Sequence, residues 1–327
     1  MKKTFQIKDF YPRLDGFLSQ ELEISKSQVL GWIKSSLVTL NGQIVQKGGL
    51  KLKNGDCITL LPPPPLTQQH TPPIPQMDID IIYEDTDILL LNKPPHLIIH
   101  KAPSVKEATL VDWLKSKGFA LSDISHQERY GIVHRLDKDT SGAILIAKNN
   151  HAHIRLSEQL KNRVMGRYYL CVITPPLLRP STIECQLGRH PNNRLKMTNL
   201  DRLKLSLSSA RYSKSQFVPL LSSKNGALSL LCAKLFTGRT HQIRAHLESI
   251  SRHIIGDKLY GTQDTYDVRM LLHAYLIYFS HPRTGKKMFF KVPVFDDMLE
   301  FLVKNFDKVG LDAAIREDQI LRSFDTF

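Results

Sequence analysis

Cysteine is scarce, and its placement excludes more than its number does. The 327 residues hold four: Cys57, Cys171, Cys185 and Cys232. No two form a CxxC pair, so neither a zinc ribbon nor a redox motif is on offer. They read as buried, reduced thiols of a cytoplasmic protein. Long apolar runs are also missing. The longest candidate, around Met270 to Phe279, is interrupted by His273 and falls short of a membrane span. The start, Met1-Lys2-Lys3-Thr4-Phe5, is basic but has no apolar stretch behind it, so it does not read as a signal peptide. No membrane contact is expected. A phosphate-cradling glycine loop and a dinucleotide fingerprint are absent too. His151-Ala152-His153 is a poor metal site, because that spacing on a helix turns the rings apart. The lysine inside Asp137-Lys138-Asp139 argues against magnesium. No cofactor and no metal are expected.

Acidic residues are in short supply relative to basic ones. Lys and Arg number 45 against 31 Asp and Glu, a net charge of +14. That balance favours a polyanionic partner, nucleic acid first. The hydrophobic share, 42%, is enough for a real core. The length predicts two domains, one of them small, and a monomer is expected.

The clearest boundary is Pro62 to Pro75, where seven of fourteen residues are proline. Such a stretch forms neither a helix nor a central strand and reads as a stiff spacer. The chain is therefore divided into residues 1–61, a linker at 62–76, a larger domain at 77–305, and a terminal tail or docked helix at 306–327. In the first piece Leu14, Phe17, Leu18 and Leu22 share a helical face. Ser25-Lys26-Ser27-Gln28 resembles a capping box opening a second helix, with Val29, Trp32 and Ile33 inward. Val38 to Val45 is a hairpin signal, since Asn41-Gly42 suits a type I′ turn. Asn54-Gly55-Asp56 turns into a strand from Cys57 to Leu61. Nine Lys or Arg against five Asp or Glu give this piece a formal +4.

The second piece alternates strand-like and helical stretches. Strands are expected at Ile79–Glu84, Ile88–Asn92, Ala143–Ala147, Tyr168–Thr174 and Leu228–Phe236. Helices are expected around Leu110–Leu114, Asn150–Asn162 and Thr240–Ile250. This is an α+β pattern around one extended sheet.

Three segments bear chemistry. His134-Arg135-Leu136-Asp137-Lys138-Asp139-Thr140-Ser141-Gly142 presents Asp137 among cations in a turn-rich loop, directly before an apolar strand. A structural ion-pair loop is the bland alternative. Thr237-Gly238-Arg239-Thr240-His241-Gln242-Ile243-Arg244-Ala245-His246-Leu247 opens a helix with Arg244 one turn in. Arg244 either aims at a carboxylate across a cleft or pairs with Glu248 at i, i+4. Arg167-Tyr168-Tyr169-Leu170-Cys171-Val172 is a basic-aromatic start to a strand, and a strand tyrosine is more often core than catalytic.

Together these segments resemble the signature set of RluA-type pseudouridine synthases. Leu91-Asn92-Lys93-Pro94, the run from Gly188 to Met197, Ile254 to Gly261, Leu272-His273-Ala274 and His281 to Gly285 continue the series in family order. The first piece resembles the alpha-L RNA-binding domain through Arg13-Leu14-Asp15, Ser25-Lys26-Ser27, Val38 to Gly42 and Gly55-Asp56. Three features depart from the pattern. Pro95-His96 stand where small residues are usual, Arg167 stands where lysine is common, and the loop from Leu200 to Ser208 is unusual.

The resemblance implies a mixed, largely antiparallel sheet with flanking helices and a central catalytic cleft, plus a small N-terminal α/β RNA-binding domain. It implies isomerisation of uridine in RNA without a cofactor. Asp137 resembles the family's essential aspartate, which either attacks C1′ or removes a sugar proton. Tyr169 resembles the tyrosine that stacks on the target uracil and assists proton removal at C5. Arg244 resembles the arginine that pairs with the aspartate, and Arg135 the one that enters the RNA stack as the base leaves. His134 and Arg239 in the same motifs, and Lys26 and Lys34 in the first piece, are further RNA-binding candidates. The expected substrate is large-subunit (23S) ribosomal RNA. A tRNA-directed enzyme and a catalytically silent ribosome-assembly factor are the competing readings, and intact Asp137, Tyr169 and Arg244 argue against silence.

Overall fold

The computed structural model describes residues 3–22, 26–61, 77–101, 105–124, 129–261 and 266–325. The chain divides into two compact units, Met1–Thr71 and Pro72–Phe327. The proline-rich stretch, and Ser25 with its expected capping role, lie outside the described residues.

The first unit contains β1 (Lys3–Gln6), α1 (Leu14–Glu21), α2 (Lys26–Lys34), β2 (Val38–Leu40), β3 (Gln43–Ile44) and β4 (Cys57–Leu60). Its strands form one antiparallel sheet in the order β1-β4-β2-β3. Asn41 and Gly42 take φ values of 51° and 83°, the double left-handed geometry of a type I′ turn. Leu14, Phe17 and Leu18 of α1 pack with Val29 and Ile33 of α2 and Ile58 of β4. Trp32 is only partly covered. Lys26 and Lys34 mark the two ends of α2 and are exposed.

The second unit runs β5 (Asp80–Glu84), β6 (Ile88–Lys93), α3 (Leu110–Ser116), β7 (Ser141–Ala147), α4 (Asn150–Lys161), β8 (Gly166–Thr174), β9 (Ser181–Arg189), β10 (Met197–Asn199), β11 (Arg211–Ser222), β12 (Ser229–Leu235), α5 (Gln242–Ser249), β13 (His253–Ile254), β14 (Leu272–Ser280), β15 (Lys287–Lys291), α6 (Asp296–Asn305), α7 (Lys308–Ala314) and α8 (Glu317–Asp325). The sheet order is β10-β9-β11-β12-β8-β14-β7-β6-β5, with β13 on β8 and β15 on β14. Among the described residues only β7 and β14 pair in parallel; the other ladders are antiparallel. The unit is therefore α+β with a mixed, largely antiparallel sheet.

Strand β8 lies at the middle and is buried along almost its whole length. Alternation sends Tyr169, Cys171 and Ile173 to one face and Tyr168, Leu170 and Val172 to the other. Both faces are covered, so the strand reads as a continuous apolar run rather than an alternating one. The first face packs α3 and α4. Thr109 and Asp112 cap α3 reciprocally, and Asn149 caps α4 by accepting from the Ala152 N–H at 2.9 Å. The second face packs the last three helices. Residues 306–325 carry α7 and α8, whose Leu311, Ile320 and Phe324 join that core. Each such buried side chain contributes about 2 kcal/mol of apolar burial. Among the described residues no helix is long and apolar enough to cross a membrane.

Candidate active site

The loop from His134 to Thr140 hangs between fixed points. His134 is buried, and its Nε2 accepts from the Leu145 N–H at 3.0 Å. Burial pushes its pKa down to about 3, so the ring is neutral. Lys93, fully enclosed at the end of β6, donates from Nζ to the carbonyls of Pro94, Leu97 and Lys138 at 2.7, 3.0 and 3.0 Å. Burial drives Lys93 down to about 7, while three acceptors, which only the ammonium can satisfy in full, favour the charged form. At the far end the Ser141 hydroxyl meets His273 Nδ1 at 2.9 Å. Gly142 has φ +106°, and a Cβ there would come within 2.3 Å of the Ala274 carbonyl oxygen. Only glycine allows β7 and β14 to approach in parallel at that point.

Asp137 sits in this loop with its side chain 17% exposed. Arg244 Nη1 donates to Asp137 Oδ2 at 3.2 Å. The other two guanidinium nitrogens form a bidentate pair with Asp257, at 2.7 and 2.8 Å. Asp257 also accepts from the backbone N–H groups of Leu259 and Tyr260. Burial works against both charges, yet the pairing overrides it: Arg244 is held above its ordinary pKa and Asp257 below. The Tyr260 ring lies 4.8 Å from the Arg244 guanidinium. His241 Nε2 is 3.9 Å from Asp137, and its Nδ1 meets the Tyr260 hydroxyl at 3.2 Å. Burial lowers the His241 pKa.

Helix α5 owes its position to Gln242. Its Oε1 accepts from the Thr237 hydroxyl and the Arg239 N–H, and its Nε2 donates to the Lys214 carbonyl and the Ser215 hydroxyl, all within 3.0 Å. Every hydrogen-bonding position of that amide is used. The preceding residue, His241, takes φ 54°, so the helix begins one residue after a left-handed turn.

Tyr169 faces Ala233 on one neighbouring strand and Ala274 on the other. Opposed residues share a face of the sheet. Tyr169 also lines a recess together with Asp137, Arg244, His241, Arg135 and Arg167. Burial raises the Tyr169 pKa, so the hydroxyl is protonated at neutral pH. Asp137, His241 and Arg244 also line a wide cleft of about 940 Å³. Asp137 thus stands where a broad cleft narrows to a recess floored by an aromatic ring.

Residues 87–249 match the RNA pseudouridylate synthase family, and residues 12–58 match the S4 domain. An uncharacterised RNA pseudouridine synthase of Helicobacter pylori strain J99 is 55% identical over 328 residues, covering 99% of each chain. The chain belongs to the RNA pseudouridine synthase family. The ribosomal large subunit pseudouridine synthase D of Xylella fastidiosa is 33% identical, covering 94% of this chain and 90% of that one. Human RNA pseudouridylate synthase domain containing 1 shares the fold at a TM-score of 0.58 and 23% identity, over 76% of this chain and 96% of its own. This pseudouridine synthase is therefore an RNA-modifying isomerase of the RluA type carrying an S4 RNA-binding domain.

The structure brings Asp137, Tyr169 and Arg244 of the synthase together around one recess. The Glu248 partnership considered for Arg244 does not form; Glu248 pairs with Lys196 at 2.7 Å. Arg135 and Arg239 are exposed at the rim. His134, one of the RNA-binding candidates, is buried at the wall of an adjoining cavity and braces the loop through the Leu145 backbone. Asp257 lies in a family-like motif, but nothing in the sequence alone assigns it a role. Its grip on Arg244 spans thirteen residues and exists only in the tertiary structure. Among the described residues Asp85, Asp87 and His281 gather oxygen and nitrogen atoms within 4.8 Å. Arg283 clasps Asp87 in a bidentate pair and His281 bonds Asp85 at 2.9 Å, so those atoms are committed to protein partners.

Proposed function

We propose that the enzyme converts uridines of large-subunit ribosomal RNA to pseudouridine, with Asp137 as the catalytic carboxylate. The observation that carries this reading is the convergence of Asp137, Tyr169 and Arg244 on one recess that opens to a wide cleft. The net reaction is an isomerisation. The N1–C1′ bond breaks, the base turns, C5 bonds to C1′, and the C5 proton is replaced by one on N1. Asp137 acts on the ribose side, held by the one Arg244 nitrogen that Asp257 leaves free. The Tyr169 ring receives the uracil face. Because its hydroxyl is protonated, it accepts the C5 proton only by passing its own onward.

A paired base cannot rotate about its own glycosidic bond, so the uridine is flipped out, at roughly a few kcal/mol of lost stacking. Arg135 is suited to fill the vacated stack, being exposed and lining both the recess and the cleft. Arg239, Lys26 and Lys34 add phosphate attraction. The ribosomal preference is supported by similarity to a relative named for the large subunit.

Mapping pseudouridine across ribosomal and transfer RNA, in cells with and without the gene, tests the substrate. Sites lost from large-subunit RNA support the reading. Sites lost only from tRNA would replace it with a tRNA-directed enzyme, and no lost site would favour a silent assembly factor.

A further inference from the structure

A third cavity, of about 340 Å³, adjoins the recess and shares Arg135, Arg167, Gly238 and Arg239 with it. Arg129 and Lys161 complete its cationic lining. Among the described residues no Asp or Glu lines it. The most telling member is Arg167, only 8% exposed. Among the described residues no carboxylate or hydrogen-bond acceptor partners its guanidinium, and its Nε is buried without a partner. Other well-covered arginines of this unit are matched: Arg244 with Asp257, and Arg269 with Asp297. A buried guanidinium without a counter-charge is costly, so an incoming anion would relieve it.

Two further details point the same way. A Cβ on Gly238 would come within 3.0 Å of both terminal nitrogens of Arg167, so glycine there leaves the guanidinium its room. His134 also lines the cavity. Its Nε2 accepts from Leu145, so its single proton sits on Nδ1, and that N–H has no protein acceptor. The cavity walls carry the cationic side chains of Arg129, Arg135, Lys161, Arg167 and Arg239, and the occupant they fit is an anion with several oxygens.

Arg167 and Tyr169 are two residues apart on β8, so their side chains leave the same face about 7 Å from one another. That span matches the reach from a nucleobase to a phosphate beside its own ribose. We propose that the cavity receives a phosphodiester flanking the flipped uridine, with Arg167 as its buried anchor and a positioning residue for the reaction. The proposal rests on the reading that the target uracil enters the recess against Tyr169. A flipped nucleotide is then held at both ends, its base by the tyrosine face and its backbone by the arginine. Arg135, common to the two cavities, stands between them.

The test is a double cycle on a short RNA that the enzyme modifies. Each phosphate next to the target uridine is replaced in turn by an uncharged methylphosphonate. Wild type, Arg167→Met and Arg167→Lys are compared for KM, kcat and salt dependence. Binding is read in parallel in an Asp137→Ala background. We expect one methylphosphonate to raise the wild-type KM about tenfold, and Arg167→Met to do the same on native RNA. Arg167→Met should also flatten the log–log salt slope by about one. The two changes together should cost no more than either alone, and Arg167→Lys should restore most of the loss. Independent, multiplying losses would overturn the proposal, as would a wild type indifferent to both methylphosphonates. Competition by millimolar inorganic phosphate against wild type, with methylphosphonates harmless, would make the cavity a free-anion site and overturn it too. Failure of wild type to form pseudouridine in any RNA would instead sink the reading of the recess, and the binding cycle keeps the two failures apart.

Discussion

Arg244 divides its hydrogen bonds between two carboxylates. Two of its nitrogens are locked to Asp257, and the third meets Asp137. Asp257→Asn should weaken the lock without touching the reacting atoms. We expect kcat to fall roughly 10- to 100-fold with KM nearly unchanged, since the lost interaction orients a group used in the transition state. Steady-state kinetics beside a thermal melt checks this; an unchanged kcat in a folded variant would contradict it. His134 gives a second prediction. Its pKa is about 3 in the fold and near 6.5 when unfolded, so between those values the unfolded chain binds more protons. Its contribution is present above pH 6.5 and is lost as pH falls toward 3. At pH 5 the loss amounts to about 2 kcal/mol. His134→Asn should lose correspondingly less stability than wild type between pH 7 and pH 5, measured by denaturant unfolding. Equal losses would mean the ring does not titrate as described.

At the scale of elements, the critical joint is the parallel contact of β7 with β14. Gly142→Ala should destabilise the enzyme by more than ~2 kcal/mol, because a Cβ meets the Ala274 backbone and the residue has positive φ. A melt within a degree or two of wild type would refute that account of the joint. Much of the element pattern was legible in the sequence. Strands β5 to β8 and β12, and helices α3 to α5, lie close to where periodicity put them. Strand β11 was not found. Its Pro219 sits where the register with β12 shifts, a bulge that hides a strand from any rule demoting proline. Strand β9 buries Ile183, Cys185 and Leu187 between exposed Thr182, Glu184 and Gln186, a period-2 alternation that its sequence shows but that no expected strand covers. The expected helix at Thr240 starts later, at Gln242, because His241 spends its backbone on a left-handed turn. The site itself was legible only as a set of family-like motifs. Asp137, Tyr169 and Arg244 are far apart in sequence, and no spacing rule joins a loop, a strand and a helix across a sheet.

At the scale of the whole molecule, an acid-poor sequence becomes a local arrangement of charge. A cleft and a basic cavity flank one recess, and Asp137 stands at the narrowing. RNA affinity is expected to come mainly from phosphate contacts spread over such surfaces, whereas turnover is expected to depend on the Asp137 carboxylate. The most direct test is Asp137→Ala, assayed side by side for pseudouridine formation and RNA binding on one modified RNA. Turnover should fall by more than about a thousandfold while Kd stays within about threefold of wild type. Residual turnover within tenfold of wild type, in a folded variant, would contradict the assignment of Asp137 and with it the whole reading of the recess.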